Sequence, residues 1–385
     1  MTFAFSIQRH GLLPIFRSRR EANIIKGIYQ RVPTLGEASD VAHWQLKIRQ
    51  GLFHQTNDAD LLYDRDRMNE AEANVDQSTR FAPVYEGRMI GMYDHRASSV
   101  GFSDKNTFRS GTLLEITDAE RNDPTVVAGP RYWASSSETE HRIPRDYEYK
   151  WFLAFKDVSS ATNERTLIAT VIPRTAVLYT IRVVFPTGVG ASLSCCLLAD
   201  WNSICTDFVC RSNTSGNHVS EYIIRQIPVH GPLRYLEACP WNTEDTLEQW
   251  ITRRVIELVY TAWDLEPFAK DLAYKKPPFR WDAERRFLLQ CELDAGYFHV
   301  YRLDRSSVEY VLDAFRIVRE RDEARYGEYR TKRVILEIYD AMAEAERTGV
   351  PYQTRLAPPP ADGCMAHRPR GENADPNAHR GEPGG

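Results

Sequence analysis

Two short stretches have the residue types and spacing that could carry catalysis. Glu148-Tyr149-Lys150, leading into the apolar run WFLAF, has the E-x-K spacing of metal-dependent nucleases, in which carboxylates hold Mg²⁺ and a lysine assists the attacking water. That chemistry needs a further carboxylate from a neighbouring strand, and Asp146 is too close in sequence to be it. A charged strand entry is the plainer reading. PTGVGAS, Pro186 to Ser192, contains a G-x-G but lacks the third glycine and the later acidic partner of a dinucleotide loop. It reads as a turn.

The remaining motif tests point the same way. Lys275 to Phe279, KKPPF, has two prolines and an aromatic, but an amino-methyltransferase loop needs an oxygen acceptor for the target amine, and Lys276 offers only donors. The ten histidines form no H-E-x-x-H, and no serine sits in G-x-S-x-G. Of seven cysteines, Cys195, Cys196, Cys205 and Cys210 fall on one expected helix, where they read as small buried hydrophobes in a reducing, cytoplasmic setting. What is left is basic and polar: Arg88, His95 and Arg96; Lys150, Lys156, Arg165, Arg174 and Arg182 at strand ends; Arg211, Asn213, Asn217, His218 and Gln226 after a helix. Arginine and lysine neutralise phosphates, and Asn, Gln and Arg read base edges, although composition alone favours an ordinary solvated surface.

These residues must be positioned by real cores, and 385 residues with 42% hydrophobic content can supply them. The most apolar segment, Leu193 to Cys210, carries Asp200, Asn202 and Asp207, so no membrane span is expected, and the start lacks the pattern of a secretory signal. A net charge of −4 confines any nucleic-acid surface to a local patch. The strand signal peaks in WFLAFKDV, TLIATVI and AVLYTIRVVF. Leu167 to Ile172 is too apolar to face water on either side, which predicts a central strand ended by Pro173. Helical stripes follow from Leu247 to Ala262 (N-cap Asn242 or Thr243), behind Ser306-Ser307-Val308-Glu309 read as a capping box, and from Val334 to Met342.

The expected class is α+β. A helical segment spans residues 1–57, a polar connector 58–82, a mixed-sheet domain with packed helices 83–235, a mostly helical domain 236–355, and a disordered tail 356–385.

Five segments in order, Pro14 to Pro33, Pro83 to Ala97, Trp151 to Val177, Leu198 to Val229 and Leu293 to Met342, resemble the C-terminal half of large adenine-N6 DNA methyltransferases of the type IIG-like restriction-modification and phage-defence family. Tyr85, Glu86, Gly87, Met89, Asp94, His95 and Arg96 match one family element. Arg165, Thr166, Pro173 and Arg174 match a second; Asn202, Ser203, Asp207, Phe208 and Arg211 a third; Gln226 and Pro228 a fourth. The sequence departs from the family at Arg211-Ser212-Asn213, where Arg-Gln-Lys is usual, and so loses one positive charge. Arg325 to Arg333 also matches, and Arg316 to Arg333 holds seven basic against four acidic residues.

The resemblance implies target recognition on double-stranded DNA, with the adenine flipped out for chemistry performed by a separate half. That half would bring S-adenosylmethionine and the proline-proline-aromatic loop; no cofactor or metal is expected in this chain, which would not transfer methyl groups alone. The DNA contacts it implies, together with the basic set above, are Arg88, Arg96, Arg165, Thr166, Arg174, Arg211, Asn213, Asn217, His218 and Gln226. The alternatives are a nuclease built on Glu148 and Lys150, or a subunit that docks a separate methyltransferase polypeptide.

Overall fold

The computed structural model describes residues 16–37, 43–74, 80–102 and 111–370. Its strands are β1 (Gln45–Gln50), β2 (Phe81–Tyr85), β3 (Ser98–Phe102), β4 (Gly111–Glu115), β5 (Trp133–Ser135), β6 (Trp151–Lys156), β7 (Ala169–Pro173), β8 (Ala176–Val177), β9 (Ile181–Thr187), β10 (Ala238–Cys239) and β11 (Asn242–Thr246). The longer helices are α1 (Arg19–Arg31), α2 (Arg65–Asn74), α3 (Ala191–Asn202), α4 (Ile204–Asn213), α5 (Leu247–Val259), α6 (Ala283–Val300), α7 (Arg305–Asp313), α8 (Arg316–Tyr326) and α9 (Arg330–Thr348). The class is α+β.

The central element is a four-stranded antiparallel sheet in the order β1-β9-β6-β7. Successive side chains of a strand point to opposite faces, and here both faces are apolar. Trp151, Leu153, Phe155, Val171 and Val184 join the core under the helices. Phe152, Ala154, Ile172, Val183 and Phe185 join a second core beneath the small sheet β5-β2-β8. The double-sided burial expected of Leu167 to Ile172 is therefore present.

Its central position is not: β7 is an edge strand. The edge is sealed by side chain rather than by another strand. Asn202, at the end of α3, accepts from the Ala169 N–H at 2.9 Å and donates to the Ala169 carbonyl at 2.9 Å, and the Tyr93 N–H reaches that carbonyl at 3.0 Å. A primary amide has the donor and acceptor of a peptide, so one asparagine replaces the neighbouring strand at this residue.

Several sequence boundaries shift. The segment Leu193 to Cys210 forms two helices, broken at Ser203, whose extended backbone lets its hydroxyl cap α4 at the Thr206 N–H. The cap of α5 is Thr246, with Gln249 completing a capping box, and the cap of α7 is Asp304 rather than Ser306. The connector at 58–82 contains α2 and the buried Leu62. The expected boundary at 235/236 divides no cores: one apolar cluster runs from Ile25 and Ile28 of α1 through α3, α5, α6 and α9 to Leu356. With β1 at the sheet edge, the N-terminal segment belongs to that body too.

Residues 356–370 correct the expectation of a disordered tail. Arg285 donates to the carbonyls of Pro358 and Pro359, the Ala361 N–H donates to Glu257, and backbone bonds join Arg280 to Met365 and His367 to Pro278. Prolines have little conformational freedom to lose, so a few such bonds suffice to order the stretch. Residues 371–385 lie outside the described residues.

Candidate nucleic-acid interface

The family-like residues around Arg165 converge on one buried carboxylate. Asp207, in the first turn of α4, is fully buried; its Oδ1 accepts the backbone N–H groups of Thr166 (2.9 Å) and Leu167 (2.8 Å), and its Oδ2 accepts Arg165 Nε (3.0 Å) and Arg211 Nε (3.4 Å). Arg165 also donates to the Asn202 carbonyl, and Arg211 to those of Asn163 (2.8 Å) and Glu164 (2.5 Å). Both guanidiniums lie near the Phe315 ring, Arg211 at 4.2 Å from its centroid. Burial lowers the Arg211 pKa, an effect opposed by Asp207. The network ties the chain entering β7 to α3 and α4.

Arg96 plays a comparable part elsewhere. Fully buried, it donates to the carbonyls of Asp123 (2.7 Å), Val126 (2.7 Å), Thr261 (2.8 Å) and Arg121, stapling the turn at 121–126 to the end of α5. Beside it, Glu86 pairs with Arg131 and Asp94 with Arg121. Arg174 is held by Glu140 and the carbonyls of Tyr147 and Tyr149.

The ten expected contacts thus divide. Arg96, Arg165, Thr166 and Asn213 are buried and bonded internally, Asn213 donating to the Tyr29 hydroxyl at 2.8 Å. Gln226 is 8% exposed and donates to the Tyr222 carbonyl. A desolvated guanidinium already bonded to carboxylate or carbonyl cannot reach a phosphate without opening the fold, which corrects the sequence expectation for these residues. Arg174 and Arg211 are partly exposed, while Arg88, Asn217 and His218 are exposed. His218 pairs with the buried Asp157 at 2.8 Å, and Asp157 also holds Arg182. Arg88 lies on the turn Gly87–Met89, where the Gly87 N–H donates to the Thr180 hydroxyl at 2.9 Å, and the Thr180 carbonyl accepts the Asp157 N–H at 3.0 Å.

The motifs considered for catalysis lie on a surface pocket, a turn and a packed loop. Glu148 and Asp146 line a surface pocket of about 450 Å³ with the Gly188–Gly190 turn, and Asp146 is paired with Lys47. Among the described residues no three His, Cys, Asp or Glu side chains are grouped to hold a metal ion. Gly188 has φ +74°, as a turn requires, and Gly190 precedes α3. Phe279 of KKPPF is buried and stacks on Tyr274. In the Arg316 to Arg333 run, Arg321, Arg330, Lys332 and Arg333 pair with Glu164, Glu284, Asp313 and Glu328, a solvated face laced by ion pairs. No helix among the described residues is long and apolar enough to cross a membrane.

The strongest unclaimed basic feature escaped the sequence reading. Arg20 and Arg31 of α1 and Arg302, just past α6, line a single pocket of about 440 Å³. The available signal was weak: Gly27 inside a helical run, where a side chain would be expected. A scan against models of known protein families finds no match to this chain, and a search of curated proteins finds none either.

Proposed function

We propose that the chain is the DNA-binding, target-recognition portion of a site-specific adenine-N6 DNA methyltransferase of restriction-modification or phage defence. On this reading S-adenosylmethionine and methyl transfer belong to a separate half. The observation that carries it is the convergence of the family-like residues: Arg165, Thr166, Asn202, Asp207 and Arg211, scattered in sequence, meet in one bonded network. Such convergence is what a scaffold shared with that family would give. It supports kinship of the scaffold, and exposed Arg88, Asn217 and His218 are the members of the expected set that remain candidates for contacts to DNA.

A second reading, a subunit docking a separate methyltransferase polypeptide, is favoured by Leu233 and Leu236, 56% and 49% exposed and one helical turn apart. The test is anisotropy of labelled 30-bp duplexes from a random-sequence pool, titrated with the full chain at 50 to 200 mM salt. Binding that weakens steeply with salt is the expected result. No binding at 50 mM salt, with a chain that folds, rejects the DNA-binding reading. Cleavage of the duplexes with Mg²⁺ that is lost in Glu148→Ala would install the nuclease in its place.

A further inference from the structure

We propose that the pocket between α1 and the turn joining α6 to α7 is a phosphate-binding site. Its cations are Arg20, Arg31 and Arg302, and its ligand is a phosphodiester of nucleic acid. Only the source of the phosphate rests on the DNA-binding reading; the phosphate chemistry stands on the pocket itself.

Three guanidiniums lining one pocket repel each other, and each is held or left in a way that serves an anion. Arg20 is anchored through one nitrogen, Nη2, to the Ser306 carbonyl (2.8 Å) and hydroxyl (3.0 Å), with its guanidinium 5.0 Å from the Tyr310 ring centroid. Arg31 is anchored through Nη2 to the Tyr301 carbonyl at 3.2 Å. Each keeps further N–H groups for a ligand, and the fork of a guanidinium matches phosphate oxygens. Arg302 is exposed and makes no side-chain hydrogen bond or ion pair among the described residues. The carboxylate in the pocket, Asp304, is engaged as the N-cap of α7, accepting the Ser307 N–H at 2.8 Å.

Two backbone features in the same pocket run against local preference. Arg302 has φ +52°, the left-handed region that glycine occupies without steric cost, so a long cation stands where the backbone alone would favour glycine. Gly27 sits inside a 13-residue helix, where alanine is the better helix former. A Cβ at Gly27 would lie 3.1 Å from Arg31 Nη1, so its absence lets Arg31 lie back across the helix face. Neighbouring His230 registers the local field: burial first, then Arg234, with Arg302 and Arg31 adding, pushes its pKa down to about 4.

The full chain and two variants, Arg302→Gly and Gly27→Glu, test the site. Arg302→Gly relieves the backbone conformation, so its melting temperature should equal or exceed that of the parent. Its DNA affinity should fall about tenfold at 50 mM salt, and losing one phosphate contact should lower the salt slope by about 0.9, making the weakening from 50 to 200 mM salt roughly threefold smaller. Gly27→Glu, which adds a carboxylate to the pocket, should lose more. Titration with inorganic pyrophosphate forms the second arm. DNA binding by the parent that both variants match overturns the pocket and leaves the DNA-binding reading standing. Pyrophosphate binding that needs Arg302, with no DNA binding, upholds the pocket and rejects the DNA-binding reading. Failure of the parent to bind either ligand overturns both.

Discussion

Replacing Asp207 with alanine should be among the most damaging single changes in this protein. The carboxylate is fully buried and accepts four donors: the Thr166 and Leu167 N–H groups and the Nε groups of Arg165 and Arg211. Without it, two buried N–H groups lose their acceptor, at about 1–3 kcal/mol each. Arg165, 8% exposed, becomes a buried charge without its ion-pair partner, a loss of about 3–5 kcal/mol. These losses share one carboxylate and are not additive, so about 4–6 kcal/mol is expected, a large part of the roughly 5–15 kcal/mol that holds a typical domain folded. Asp207→Asn separates the contributions. Its amide oxygen can accept both N–H groups, while its NH₂ group faces two guanidiniums that are themselves donors only. It should lose about 2–4 kcal/mol, most of it from the arginine side.

The assay is urea unfolding followed by tryptophan fluorescence, read as the shift in midpoint at constant slope. Hydrogen exchange at Leu167 gives a local check, because its N–H is protected by Asp207. A loss below about 1 kcal/mol in Asp207→Ala would refute the buried-network account, since such a value belongs to an exposed ion pair. Equal losses in the two variants would refute the division between backbone and arginine contributions.

Asn202→Ala should cost about 1–3 kcal/mol and speed exchange of the Ala169 amide, whose acceptor is the Asn202 side chain; unchanged exchange would mean that the edge of β7 is sealed by other means. Gly296→Val should destabilise by about 1–3 kcal/mol, because a Cβ there would stand 3.1 Å from Trp241 and 3.2 Å from Trp250, and a midpoint within error of the parent would show that the two rings can yield. Burial raises Asp200 to about 6, against three hydroxyl donors, Thr206, Tyr301 and Tyr235, that act to lower it. The folded protein therefore binds this proton more tightly than the unfolded chain, so the stabilisation is full below the ordinary aspartate pKa of 3.8 and is lost as pH rises through about 6. In Asp200→Asn the difference in stability between pH 4 and pH 7 should shift by on the order of 2–3 kcal/mol in favour of pH 7, and a stability curve parallel to the parent's would refute it.

How much could be seen in advance followed from the range of each interaction. The double-sided burial at Leu167 to Ile172 was legible because five apolar residues interrupted only by Thr170 leave no face for water. That β7 is nevertheless an edge was not legible, because the residue that seals it lies 33 positions later and acts as a single amide. Charge is visible in a sequence and burial is not: Arg165 and Arg174 both read as strand-end cations, yet the partner of one is a buried aspartate 42 positions away and that of the other a half-exposed glutamate. Cap positions slipped by two or more residues where equally good caps stand together, as Asp304 and Ser306 do. The stretch after Leu356 looked unable to order itself from composition, and it is ordered by donors from outside it, chiefly Arg285.

The burial of Arg96 and Arg165 has a consequence for where DNA could bind. A chain of net charge −4 that commits guanidiniums to its own carbonyls and carboxylates has fewer cations left for an anionic partner than its composition suggests. In the Arg316 to Arg333 run, ion pairs reduce the supply further. On the DNA-binding reading, phosphate affinity is then concentrated where cations stand together with donors to spare, and Arg20, Arg31 and Arg302 meet that condition in one pocket. The family-like motif and the phosphate site would accordingly use different residues: the motif fixes β7 and the helices behind it, while α1, part of the N-terminal helical segment, carries two of the three arginines of the pocket. Loss of Asp207 should then move stability with the salt slope intact, and loss of Arg302 the salt slope with stability intact. The two perturbations separate scaffold from interface more cleanly than any change to the strand-end arginines, whose effects on folding and on charge are mixed.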